Sequence, residues 1–115
     1  MTQPSPRRGQ VWLVDFSPGR GSEQDGVRPA VILQNDVGNQ YAGTTIVAAI
    51  TSTIKIYPVT VALKPGEGGL KKPSMVNLAQ ILTVDKTRLQ RRIAALSTAR
   101  MHTVTEAIKV SLDIG

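Results

Sequence analysis

The chain has no cysteine, a single histidine, four aromatic side chains (Trp12, Phe16, Tyr41 and Tyr57) and no long apolar run. Without thiols there is no thiolate nucleophile, no cysteine-held zinc and no disulfide staple, a composition that fits a reducing compartment. No stretch approaches the roughly 18 apolar residues of a membrane span. The opening Met1-Thr2-Gln3-Pro4-Ser5-Pro6-Arg7-Arg8 lacks the apolar core of a signal peptide, so a soluble, cytoplasmic protein is expected. One histidine cannot make the paired acid and base of a two-histidine nuclease, and His102 lies in a helix-like run near the C-terminus where a surface or interface role is expected. The four aromatics are too few and too dispersed for a platform on which successive bases stack.

What is present is a basic chain of 115 residues, enough for one domain with a real core. Fourteen Lys and Arg stand against eight Asp and Glu, for a net charge of +6. The excess is uneven, with nine basic and four acidic side chains in residues 61–115. An acidic partner is therefore expected, and a nucleic-acid backbone and the acidic tail of a protein satisfy that field equally, because long-range attraction reads sign before shape. Basicity that serves solubility alone is the competing explanation.

Short β-rich runs fill the chain: Gln10 to Phe16, Pro29 to Asn35, Thr44 to Ile50, Tyr57 to Leu63, Ser74 to Leu78, Gln80 to Val84 and Arg91 to Leu96. Turns are marked by Ser17-Pro18-Gly19, Asp36-Val37-Gly38-Asn39 and Lys64-Pro65-Gly66-Glu67-Gly68-Gly69. The glycine-rich Gly66 to Gly69 stretch precedes no helix and no Gly-Lys-Ser/Thr, so it reads as a turn rather than a phosphate loop. Ser97 has the chemistry of an N-cap, and Met101, Val104, Ile108 and Leu112 recur at helical spacing behind it. The pattern predicts a mainly β protein, a small barrel with a C-terminal helix, in which residues 1–7 form a loose tail and 8–115 a single domain.

The loop Gly21-Ser22-Glu23-Gln24-Asp25-Gly26-Val27-Arg28-Pro29 delivers one arginine to the foot of the apolar run Ala30-Val31-Ile32-Leu33. Pro29 biases Arg28 toward an extended conformation, so the guanidinium leaves a stiff strand start. Such an arginine either binds an anion or makes a surface ion pair with Glu23 or Asp25. The acids Asp15, Glu23, Asp25 and Asp36 occupy separate strand and loop positions, with no motif that gathers them on a cation.

That loop, with the following Gln34-Asn35-Asp36, resembles the signature of the MazF/PemK family of toxin endoribonucleases. Arg8-Gly9-Gln10-Val11-Trp12, Ser17-Pro18, Val47-Ala48-Ala49-Ile50-Thr51, Gln80-Ile81 and Thr83-Val84-Asp85-Lys86 extend the resemblance over most of residues 8 to 114. It implies an SH3-like barrel, a homodimer, metal-independent and sequence-specific cleavage of single-stranded RNA, no cofactor, and an acidic MazE-like antitoxin whose tail folds on binding. It implies Arg28, Thr51 and Glu23 as catalytic residues, and Ser22, Gln24, Ser52 and Gln80 as RNA-binding ones. The late motif departs from the family, with Ala79 and Leu82 where an acidic and a basic residue are usual. Two other functions suit the same barrel. A non-enzymatic gyrase inhibitor similar to CcdB would end in a tryptophan-containing motif, and the closing Leu112-Asp113-Ile114-Gly115 has none. A catalytically silent RNA-binding module is the other.

Overall fold

The computed structural model describes residues 5–18 and 26–115. Its elements are β1 (Gln10–Asp15), β2 (Val27–Ile32), α1 (Asp36–Tyr41), β3 (Thr44–Thr51), β4 (Thr60–Leu63), β5 (Ser74–Asp85), β6 (Leu89–Ala95) and α2 (Thr98–Leu112). The strands form one sheet in the order β4-β5-β3-β2-β1-β6, each neighbour antiparallel.

Continuous apolar runs such as Ala30-Val31-Ile32 give this sheet two dry faces. Cross-strand register puts Val11, Val31 and Ala48 on one face and Trp12, Ala30 and Ala49 on the other. On the first, Leu78 of β5 and Val61 of β4 join Val104 and Ala107 of α2. On the second, Trp12, Val14, Ile32 and Val47 share a cluster with Leu89 of β6, and Leu82 and Val84 of β5 pack against it. In a flat sheet β5 and β6 would stand about 19 Å apart at ~4.8 Å per strand. Their shared cluster therefore requires the sheet to curl, which is the small barrel expected from the sequence. A 3-10 turn at Glu67–Gly69, between β4 and β5, lies against β6 across the seam. Gly69 has φ +75°, and a Cβ there would fall 2.8 Å from Ile93 Cγ2.

Ser97 caps α2, its hydroxyl accepting the Arg100 N–H at 3.1 Å. Met101, Val104 and Ile108 of the expected stripe pack on the first cluster within their own chain. Leu112 does not, being 54% exposed. Helical phase explains the difference: after Ala107 and Ile108 the sheet-facing position is Ser111, whose Oγ donates to the Leu78 carbonyl at 2.6 Å.

Other expectations need correction. Asp36-Val37-Gly38-Asn39 is the start of α1 rather than a turn, because the Asn35 side chain accepts the Gly38 N–H at 2.8 Å and caps it. Six residues are too few to show helical periodicity. The runs Ser74 to Leu78 and Gln80 to Val84 are one strand whose pairing with β3 is irregular between Ala48 and Ile50. Tyr57 to Val59 is a turn, the Tyr57 carbonyl accepting the Thr60 N–H, so β4 begins at Thr60. Of the expected tail, residues 1–4 lie outside the described residues, Ser5 and Arg7 are exposed, Pro6 is buried, and the Arg7 N–H donates to Gln10 Oε1 at 2.9 Å.

Candidate active site

At one end of the barrel the start of β2, the end of β3, the start of β5 and the segment after the 3-10 turn surround a cleft of about 420 Å³. Arg28, Thr51 and Ser52 line it together with Lys71 and Lys72, and Ile50, Pro29 and Leu70 add apolar lining. Its lining holds three cations and no carboxylate among the described residues. A cleft of one sign focuses field on an anionic ligand.

Each polar group has a local reason for its position. Arg28 sits opposite Val14 in the β1–β2 ladder, held at an exposed strand start by a buried neighbour. Thr51, opposite Met75 in the β3–β5 ladder, accepts the Thr53 N–H on its hydroxyl at 3.1 Å, which leaves the hydroxyl proton for a ligand oxygen. Ser74, 5% exposed, donates to the Lys72 carbonyl at 3.0 Å and fixes the backbone from which that lysine projects. Farther back, Arg100 of α2 grips Glu67 with two N–H groups, Nε to Oε1 at 3.0 Å and Nη2 to Oε2 at 3.1 Å. Glu67 also accepts the Lys64 N–H at 2.6 Å. The Arg100 hydrogen bonds, foremost, hold the Glu67 carboxyl below its usual range. This clamp anchors the segment that carries Lys71 and Lys72.

The residues expected from the sequence divide three ways. Arg28, Thr51 and Ser52 meet in one cleft. Gln80 is half-buried on β5 and does not line it. Glu23, Ser22 and Gln24 lie outside the described residues. Leu82 packs on the second cluster, so its apolar character serves the core, while Ala79 is exposed. Sequence reading missed Lys71 and Lys72, and the available signal was the basic excess of the C-terminal half. His102 is exposed on α2. Asp36 is at the far end of the sheet, its carboxyl lowered chiefly by the Arg8 backbone N–H. Among the described residues no three His, Cys, Asp or Glu side chains converge on a metal-sized site.

A curled antiparallel sheet closed by one helix, with a cationic, hydroxyl-bearing cleft where strand ends meet, defines a small β-barrel protein equipped to hold an oxyanion. Residues 7–112 match the family described as PemK-like, MazF-like toxins of type II toxin-antitoxin systems, and the chain belongs to that family. It is 49% identical over 111 residues to the endoribonuclease MazF of Staphylococcus saprophyticus, covering 94% of this chain and 92% of that protein. Among solved structures it is similar to MazF from Deinococcus radiodurans, with TM-score 0.82, 26% identity, and coverage of 96% of this chain and 99% of that one. It is equally similar, with TM-score 0.82, to a mycobacterial endoribonuclease in complex with its cognate antitoxin, at 25% identity and with coverage of 96% and 97%.

Proposed function

We propose that the protein is the toxin of a toxin-antitoxin pair, an endoribonuclease that cuts single-stranded RNA at a short sequence, without a metal, in the Arg28–Thr51 cleft. The observation that carries the reading is the cleft's donor set, three cations and hydroxyls with no carboxylate among the described lining residues, which suits a phosphate rather than a divalent cation.

The 2′-hydroxyl attacks the adjacent phosphorus, the P–O5′ bond breaks, and the products are a 2′,3′-cyclic phosphate and a 5′-hydroxyl. Arg28 neutralises the charge that accumulates on the phosphorane oxygens, where its planar fork matches their geometry. Thr51 donates its hydroxyl proton to a non-bridging oxygen. Glu23 accepts the proton of the attacking 2′-hydroxyl, and the departing O5′ takes its proton from the Arg28 guanidinium, which solvent then reprotonates. Lys71 and Lys72 hold flanking phosphates. Ser52, with Ser22, Gln24 and Gln80, hydrogen-bonds the unpaired base edges that single-stranded RNA presents.

The domain of residues 8–115 acts as a homodimer in the cytoplasm, held in check by an acidic antitoxin. Family membership and the +6 charge support that reading. With Met101, Val104 and Ile108 committed to the chain's own core, the exposed Val110 and Leu112 of α2, with Ile114 just beyond it, are the apolar surface left for a second copy.

The deciding experiment incubates the purified protein with a long single-stranded RNA in chelator. Discrete fragments with 5′-hydroxyl ends are expected. Cleavage that EDTA abolishes and magnesium restores would replace this mechanism with a metal-dependent one, and intact RNA would favour the gyrase-inhibitor or silent RNA-binding alternatives.

A further inference from the structure

A second cavity, of about 390 Å³, lies at the other end of β3, between α1, the chain near Arg7 and the turn after β5. The seven residue steps from Thr44 to Thr51 separate it from the cleft by about 23 Å at ~3.3 Å per step. Lys86, 5% exposed, lines it. The ammonium makes one hydrogen bond among the described residues, to the Asn39 carbonyl, and no ion pair. A buried ammonium with unused N–H groups and no counter-charge is costly. Arg7 adds a second cation, its side chain 71% exposed.

The carboxylate present, Asp36, is already engaged. Its Oδ1 accepts the Arg8 N–H at 2.7 Å and the Asn39 amide at 3.2 Å, and its Oδ2 faces Arg7 at 3.5 Å. Lys86 and Arg7 against Asp36 leave one positive charge over. Val37, 71% exposed, lines the cavity, and Tyr41, 79% exposed, follows it one helical turn on along α1.

The geometry points to a docking site for an acidic, apolar segment of a partner chain, with a carboxylate seated on Lys86 and Arg7 and a neighbouring aliphatic side chain against Val37 and Tyr41. RNA extending from the cleft is the less suitable occupant, because neither Thr44–Thr51 nor Ser74–Asp85 contains a lysine or arginine to carry phosphates between the two ends. The site stands apart from the cleft, so it does not depend on the reaction proposed there.

The test is an amide NMR titration of the full chain with acetate, with inorganic phosphate, with a blocked peptide of alternating glutamate and leucine, and with an uncleavable 2′-O-methyl RNA. The peptide should move the Arg7, Gln40 and Lys86 amides saturably, at concentrations at least about tenfold below those acetate or phosphate needs, since it adds an apolar contact. Arg7→Ala, at an exposed position, should weaken the peptide about tenfold while RNA cleavage is unchanged. Tyr41→Ser should weaken the peptide but not phosphate, and Lys86→Met, if it folds, should abolish both. No saturable shift at these amides, a peptide indifferent to Arg7→Ala and Tyr41→Ser, or displacement of the peptide from this end by the RNA would each overturn the proposal.

Discussion

The two ends of β3 treat positive charge in opposite ways. At the Thr51 end, Arg28, Lys71 and Lys72 line an open cleft. At the Thr44 end, Arg8 and Lys86 are bonded to backbone carbonyls, and Arg7 stays at the surface beside Asp36. Arg8 donates to the Leu33 carbonyl and to Thr105 Oγ1, and Lys86 donates to the Asn39 carbonyl. Between them Asn39, 3% exposed, satisfies its whole amide: Nδ2 donates to the Gln34 carbonyl and Asp36, and Oδ1 accepts from Gln34 and from Thr45. The first end gathers cations and hydroxyls around a cleft, while the second bonds most of its polar groups to one another and keeps one positive charge in excess. Substitutions at the first should change activity with little loss of stability, and those at the second the reverse.

The sharpest way to break that contrast is Arg28→Ala or Thr51→Ala. Either should slow RNA cleavage at least ~100-fold, the scale for removing one transition-state donor. Thermal melts should stay close to wild type; near-normal cutting by either variant would move the chemistry elsewhere. Asn39→Ala should do the opposite, costing about 2–3 kcal/mol in urea unfolding because several buried partners lose their hydrogen bonds, while the folded fraction cleaves at the wild-type rate. A large fall in activity per folded molecule would mean the ends are coupled.

Smaller effects refine the picture. Replacing both Lys71 and Lys72 by alanine should weaken RNA binding about tenfold at low salt and flatten the plot of log affinity against log salt by ~0.7 for each phosphate contact removed. An unchanged slope would take these lysines off the phosphate path. Arg100→Met or Glu67→Gln should raise KM about three- to tenfold with kcat nearly constant, as expected when a binding wall shifts but the reacting groups do not. The same pair has a pH signature. Because the folded Glu67 pKa is depressed below its ordinary value of 4.5, the contribution is fully present above that pH and lost as pH falls through the folded value. The stability gap between wild type and Glu67→Gln should therefore be constant near neutrality and close below about pH 4.5. A gap that widened in acid would contradict the geometry.

The barrel and the Ser97 cap were legible because each has a local sign: turn residues between β-rich runs, and a capping hydroxyl before a periodic stripe. Pro29 marked Arg28 as held at a stiff strand start, but Thr51 was set beside it only by the family resemblance, since a strand-end threonine carries no sign of its own. Helix α1 was not legible, since six residues show no helical period and its Asn39 anchor depends on Gln34 and Thr45 being folded back beside it. Lys71 and Lys72 were visible only as charge. Their position on the cleft wall is decided by the Arg100–Glu67 clamp, a contact across 33 residues of sequence. Leu112 followed the stripe in sequence but lost its place to Ser111, because the sheet offers the last turn a carbonyl rather than an apolar floor.

The turn that places those lysines also lies flat on β6, the strand at the sheet's opposite edge, with Gly69 too close to Ile93 to accept a side chain. It thus acts as a latch over the β6 edge, which would otherwise offer unpaired backbone to other molecules. An inherited change that reshaped this wall to suit a different RNA would also loosen the latch and invite aggregation. Adaptation to new target sequences should therefore be channelled into the segment between Thr51 and Thr60. There Ile54, Ile56 and Tyr57 are already exposed, so substitutions should leave the barrel shut.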